Sequence, residues 1–223
     1  PIVYTGLWNQ YKKQQSLFWK MEDIDFSNDY KDYSTLDENE KHVIKMILAF
    51  FANTDGIVNL NISTRLLNLI TINEAKVTYN FQMMIENIHN ECYTLMLDSI
   101  IKNKEEKEYL FNSIKTIPSI KKISNWAIKW IDSETHIANR IVAFACVEGI
   151  MFSGAFATIY WIKKYKGSGT IFLNGLIKSN EYISRDEGLH TEFACELFKL
   201  IVNKPPKSEI IKIISESVEI ASE

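Results

Sequence analysis

An all-α fold of long helices in one domain, residues 1–223, is what the sequence predicts, and three observations carry that prediction. Apolar residues recur at helical spacing through several long runs. No alternating stretch is bounded by a hairpin turn such as Asn-Gly. Glycine and proline number only 8 and 4 among 223 residues, so the chain has few built-in interruptions. With 46% hydrophobic residues it can bury a substantial core. Its 25 basic and 28 acidic side chains leave a net charge of −3, which gives no reason to expect nucleic acid or an anionic membrane as a partner. The three cysteines, Cys92, Cys146 and Cys195, are odd in number and form no CxxC pair. They argue against a disulfide scaffold or thiolate zinc site and fit a reducing compartment, the cytoplasm. The chain opens on Pro1, so the reading expects a piece of a longer protein, lacking the native start and a C-terminal tail.

The first thirty residues, with Trp8, Tyr11 and Trp19 among charged neighbours, read as an irregular or partly helical arm. Thr35, Leu36, Asp37 and Glu38 have the pattern of a capping box that opens a helix. Val43, Ile44, Ile47, Leu48 and Phe51 then mark one helical face, which continues past Asp55. A second long helix is expected from Asn73 to Ile101, and a charged turn at Lys102–Glu106. Shorter helices fit Glu106–Ile114 and Ile120–Trp130, separated by Pro118. The stretch Ile141–Ile162 has 22 residues and one charge, Glu148. It is long enough to span a membrane, but a lone carboxylate at its centre favours a buried core helix. That helix is expected to begin near Thr135 and to stop at the turn signal Lys166, Gly167, Ser168, Gly169. Another covers Phe172–Val202, and a last amphipathic one follows Lys204-Pro205-Pro206.

Of four histidines, two sit three residues after a glutamate, in Glu86-Asn-Ile-His89 and Glu187-Gly-Leu-His190. On a helix each such pair faces one point. Glutamate is 19 of 223 residues, so chance alone yields two such pairs in roughly 4% of cases. Around the first pair Met83, Met84, Ile85, Ile88 and Cys92 leave little polar face, and no lysine or arginine lies between Lys76 and Lys102. A carboxylate there needs a counter-charge from elsewhere. Asp55 and Glu148 pose the same difficulty within their own apolar runs. The order acid, Glu-x-x-His, acid, Glu-x-x-His on successive helices is the established ligand pattern of di-iron and di-manganese carboxylate bundles. Four carboxylates balance two divalent ions, and oxygen with imidazole favours iron or manganese over softer metals. Tyr93 falls within about 60° of Glu86 and His89 around the helix. Phe152, Phe156 and Ile183 are spaced to wall the same cavity with hydrocarbon.

The segments YKKQQSLFWKMEDIDFS, AFFANTDGIVNLN, FQMMIENIHNECY, VAFACVEGIMFSGAF and ISRDEGLHTEFACELF closely resemble the small, radical-generating subunit of class I ribonucleotide reductase, of the eukaryotic and viral type. The resemblance covers nearly the whole chain. It implies a ferritin-like helical bundle around a dinuclear metal site, with metal ligands Asp55, Glu86, His89, Glu148, Glu187 and His190. It puts the radical on Tyr93, and makes Trp19 and Asp186, with His89, the start of a radical-transfer route. Asp186 would fix the His89 ring through its free nitrogen. The implied cofactor is two iron ions, with manganese as a variant, and the implied reaction uses dioxygen to oxidise Tyr93. The radical then passes to a large catalytic subunit that reduces ribonucleotides to deoxyribonucleotides. The resemblance also implies a homodimer. Leu60 stands where the family usually has glutamate, and Cys92 replaces a common methionine beside Tyr93. The alternative is another di-iron carboxylate oxidase or a ferritin-like store.

Overall fold

A computed structural model describes residues 1–132, 134–167 and 171–223, and all regular structure among them is helical. Helices α1 (Thr5–Ser16), α2 (Asp29–Ser34) and α3 (Glu38–Asn61) lead into a π-helical turn at Ile62–Leu66 and the short α4 (Leu67–Leu69). Then come α5 (Asn73–Ile100), α6 (Lys104–Phe111), α7 (Ser113–Thr116) and α8 (Pro118–Asp132). Helix α9 (Ile137–Cys146), a second π-helical turn (Val147–Met151) and α10 (Ser153–Lys166) form one nearly continuous rod. Helices α11 (Asn174–Lys199) and α12 (Lys207–Ala221) complete the chain. The core is built from α3, α5, the α9–α10 rod and α11, with α1 laid against α5 and α11. Ser168 and Gly169 of the expected turn lie outside the described residues.

Local chemistry explains where the boundaries differ from expectation. The capping box at the head of α3 is formed by Asp37 and Glu40, each side chain accepting the other's backbone N–H at 2.9 and 3.0 Å, and not by Thr35 and Glu38. The Thr35 hydroxyl is turned back onto the Asp32 carbonyl. Asn103 caps α6 by accepting from the Glu106 amide at 2.8 Å, so the expected charged turn is already the first turn of a helix. Pro118 opens α8, where its missing N–H costs nothing. The N-terminal arm is more helical than its mixed charge pattern suggests, because Leu7, Gln10 and Gln14 bury one side of α1.

Two helical stretches, Glu38–Leu69 and Ile137–Lys166, are long and apolar enough to cross a membrane by length and composition. Each carries one buried carboxylate, Asp55 at 1% exposure and Glu148 at 2%, turned toward the middle of the bundle. The π-helical turn adds a residue to the repeat at Glu148, which re-aims that side chain within an otherwise regular rod.

The start of α11 is clasped by α2. Leu173 takes a left-handed φ of 46° and its N–H is accepted by Asp32 Oδ2 at 2.8 Å. Asp29 accepts from Gly175 N at 2.9 Å and Leu176 N at 2.7 Å. Gly175 is required there, since a Cβ would collide with the Phe26 ring.

Candidate metal centre

Four segments converge on one buried point. Asp55 comes from α3, Glu86 and His89 from α5, Glu148 from the π-helical turn, and Glu187 and His190 from α11; all six are at most 2% exposed. Ligating atoms of Asp55, Glu86, His89 and Glu187 all lie within 4.8 Å of one another, and so do those of Glu86, Glu148, Glu187 and His190. The two sets share Glu86 and Glu187, which is the geometry of two adjacent cation positions with carboxylates between them. Both histidines turn Nδ1 inward. His89 Nδ1 is 3.1 Å from Glu86 Oε2 and 3.2 Å from Glu187 Oε1. His190 Nδ1 is 3.0 Å from Glu86 Oε1 and from Glu187 Oε2, and 3.9 Å from Glu148 Oε1.

Polar satisfaction is incomplete in this pocket. Both oxygens of Asp55, Glu148 Oε2 and the Tyr93 hydroxyl are buried with no hydrogen-bond partner. Glu86 Oε1 and Glu187 Oε1 come within ion-pair range of the imidazoles but lack hydrogen-bond alignment. Such orphaned acceptors are costly unless something else meets them. The charges respond accordingly. Burial, then the charge of Glu86, drives Asp55 well above the ordinary carboxylate range. Burial also raises Glu148, against the opposing pull of His190. For Glu86 burial is the largest effect, yet the two imidazolium rings together overcome it and hold the carboxyl low. Burial pulls both histidines down, and the surrounding carboxylates, Glu86 first, more than reverse that. Four carboxylates against two divalent ions give charge balance, and an oxygen and imidazole donor set without thiolate suits hard metals, so the residues fit a dinuclear metal pair.

Tyr93 is 2% exposed and lies beside this cluster. Burial, and next the charge of Asp55, pushes its phenol well above the usual range. Its ring stacks on Phe51 at 4.8 Å and 9°, and Phe51 in turn meets Phe156 at 4.8 Å and Phe152 at 5.6 Å. The expected hydrocarbon wall from Phe152 and Phe156 thus reaches Tyr93 through Phe51, a residue that the sequence marked only as core. Ile183 is fully buried.

Trp19 and Asp186 meet on the other side of His89. The indole Nε1–H donates to Asp186 Oδ2 at 2.7 Å, the same oxygen lies 3.3 Å from His89 Nε2, and the Trp19 and His89 rings stack at 5.9 Å and 19°. Burial raises the Asp186 carboxyl, but hydrogen bonds from His89 and Trp19 outweigh it and hold the group low. Two supporting residues escaped the sequence reading. Gln82 Nε2, fully buried, donates to Glu148 Oε1 at 2.7 Å. Arg185 reaches the second oxygen of Asp186 at 3.2 Å while its Nη2 donates to the Leu17 carbonyl at 2.8 Å, tying the arm to α11. Gln82 lies one turn before Glu86, so its place on the inward face was the available signal; nothing in the sequence singled out Arg185.

Comparison with known proteins places these features in context. The profile described as "Ribonucleotide reductase, small chain" matches residues 1–223. The ribonucleoside-diphosphate reductase small chain of Plasmodium falciparum is 50% identical over 99% of this chain and 62% of its own length. That of vaccinia virus (strain Ankara) is 48% identical over all of this chain and 68% of its own. The chain therefore spans a little under two thirds of the Plasmodium relative. Among solved structures, the ribonucleotide reductase Rnr4 homodimer from Saccharomyces cerevisiae superposes with a TM-score of 0.90 at 33% identity, over 99% of this chain and 69% of that one.

Proposed function

The chain belongs to the ribonucleotide reductase small-chain family, and on that premise we propose that it is a radical-generating subunit whose stored tyrosyl radical serves ribonucleotide reduction by a large catalytic subunit. The observation that carries this reading is the pair of overlapping buried ligand sets with an unpartnered phenol beside them.

Asp55, Glu86, His89 and Glu187 would hold one metal ion, and Glu86, Glu148, Glu187 and His190 the other. When bound, the pair, iron or in a variant manganese, supplies with dioxygen the one-electron oxidising power that a neighbouring phenol needs. Gln82 holds Glu148 in orientation through its 2.7 Å hydrogen bond. Tyr93, buried beside the cluster with its hydroxyl unpartnered, would be the phenol oxidised, giving up an electron together with its proton. Phe51, Phe152 and Phe156 keep water from the oxidised ring. Asp186 holds the Trp19 Nε1 proton on one side and faces His89 Nε2 on the other, which makes a continuous route out of the pocket. No glycine-rich phosphate loop occurs in the sequence, which supports nucleotide binding by the large subunit.

We assign the protein to the cytoplasm, in keeping with its three free cysteines, and to a homodimer, as in the Saccharomyces structure. Light scattering tests the dimer. Addition of iron(II) and oxygen should give a tyrosyl radical in electron paramagnetic resonance, absent in Tyr93→Phe at equal metal content. Metal uptake without any radical would turn the assignment to an oxidase or an iron store.

A further inference from the structure

We propose that Tyr182 is an additional redox station, the surface terminus of the ring series His89–Trp19–Tyr182. The inference rests on the radical-storing function proposed above and extends it outward.

Trp19 is only 3% exposed and cannot itself meet an electron donor from outside. Among the described residues two rings lie within stacking distance of it: His89 on the pocket side, and Tyr182 at 5.2 Å and 37°. Exposure rises along this series, from 0% at His89 through 3% at Trp19 to a half-buried Tyr182. Tyr182 stands four residues before Asp186 on α11, so both side chains share one helix face with the arm that carries Trp19. Of the two outer rings it is the phenol that solvent or a docked protein can reach.

The neighbouring charges define the chemistry. Lys178 Nζ lies 4.5 Å and the Arg185 guanidinium 5.2 Å from the Tyr182 ring centre. Two cations over the ring disfavour a phenol radical cation, so the electron leaves only together with the proton. In the step itself Tyr182 gives one electron to oxidised Trp19, and its O–H bond breaks with the proton passing to solvent. The Nε1 proton that Trp19 had lent to Asp186 returns across their 2.7 Å hydrogen bond. An external one-electron donor, a thiol or phenol of the docked subunit or a soluble reductant, restores Tyr182, which recovers its proton from solvent. Trp19 is oxidised in the first place by giving its electron to the Tyr93 radical; overall the donor supplies one electron and solvent one proton, which together re-form the Tyr93 O–H bond.

The experiment loads the protein with iron(II) and oxygen and follows decay of the Tyr93 radical after addition of ferrocyanide, an anionic donor too large for the pocket. Tyr182→Phe keeps the stacked ring and removes the oxidisable hydroxyl. It should form the parent's initial radical yield, showing an intact metal site, and lose the signal about tenfold more slowly, equivalent to ~1.4 kcal/mol in barrier. Trp19→Phe should slow decay at least as much, and the double variant no further, because the two act in series. Decay of Tyr182→Phe at the parent rate, or a double variant slowed by the product of the single effects, overturns the role of Tyr182 while leaving the Tyr93 reading intact. A parent protein that forms no radical overturns that reading and this proposal with it.

Discussion

Helix α11 carries two buried acid sites that obey opposite rules. At its start, the Asp29 carboxylate from α2 accepts the backbone amides of Gly175 and Leu176 on its two oxygens. A little over three turns on, Glu187 joins Asp55, Glu86 and Glu148 in a pocket where several oxygens find no hydrogen at all. Both sites exclude solvent, and both bring negative charge to places that burial penalises. The first is complete within the polypeptide, so its acid holds structure together. The second is left incomplete by the polypeptide, so its acids are held ready by structure rather than holding it. Burial alone does not separate these cases; the count of unmet oxygens does.

Substituting one acid from each site should break the pairing most sharply. Asp55→Asn removes a carboxylate with no partner, so binding of two divalent ions should weaken by more than about 100-fold while the metal-free protein melts no lower than the parent. Metal analysis beside calorimetry reads both quantities, and a metal-free variant that melts much lower would mean that Asp55 is structural. Asp29→Ala should do the reverse. It leaves two helix-end amides unmet at a cost of about 2 kcal/mol of stability, seen in urea unfolding, with two metal ions still bound per chain. Gln82→Leu tests a smaller effect inside the pocket. Loss of the amide that donates to Glu148 should lower metal affinity about tenfold in a competitive titration, with stability near that of the parent. Unchanged affinity would show that Glu148 needs no orientation.

The sequence made the incomplete site easier to read than the complete one. Glu86, His89, Glu187 and His190 announce themselves because glutamate three before histidine repeats on two apolar helices, and Asp55 and Glu148 because each is an acid in a hydrocarbon run. Their convergence in space follows from the packing of α3, α5, the α9–α10 rod and α11 around one core, of which periodicity gives only the buried faces. Asp29 is different: it stands in a stretch rich in acids, and its partners Gly175 and Leu176 are 146 and 147 residues away. Separations of 66 and 168 residues likewise hide Gln82 from Glu148 and Arg185 from Leu17. Helix lengths were legible, but the π-helical turn at Val147–Met151 was not, because an inserted residue within a run apolar on all sides leaves the composition unchanged.

Proton linkage sharpens the contrast at its finest scale. Burial, the largest influence, raises the Asp29 carboxyl from 3.8 to about 6, although the amides of Gly175 and Leu176 pull it down. A raised value in the folded state means that the folded protein keeps a proton which the unfolded chain has released. Stability from this group is therefore full below pH 3.8 and declines as pH rises toward about 6, beyond which it stays flat. Asp29→Asn carries no such titration, so it serves as the reference. The parent should lose up to about 3 kcal/mol, or roughly 6–12 °C in Tm, relative to Asp29→Asn between acid and neutral pH. Other titrating groups cancel in that difference. If instead the parent gains on the variant as pH rises, the two amides and the positive end of α11 outweigh burial. Asp29 would then be a fully stabilised anion, and the clasp would owe its strength to charge as well as to hydrogen-bond geometry.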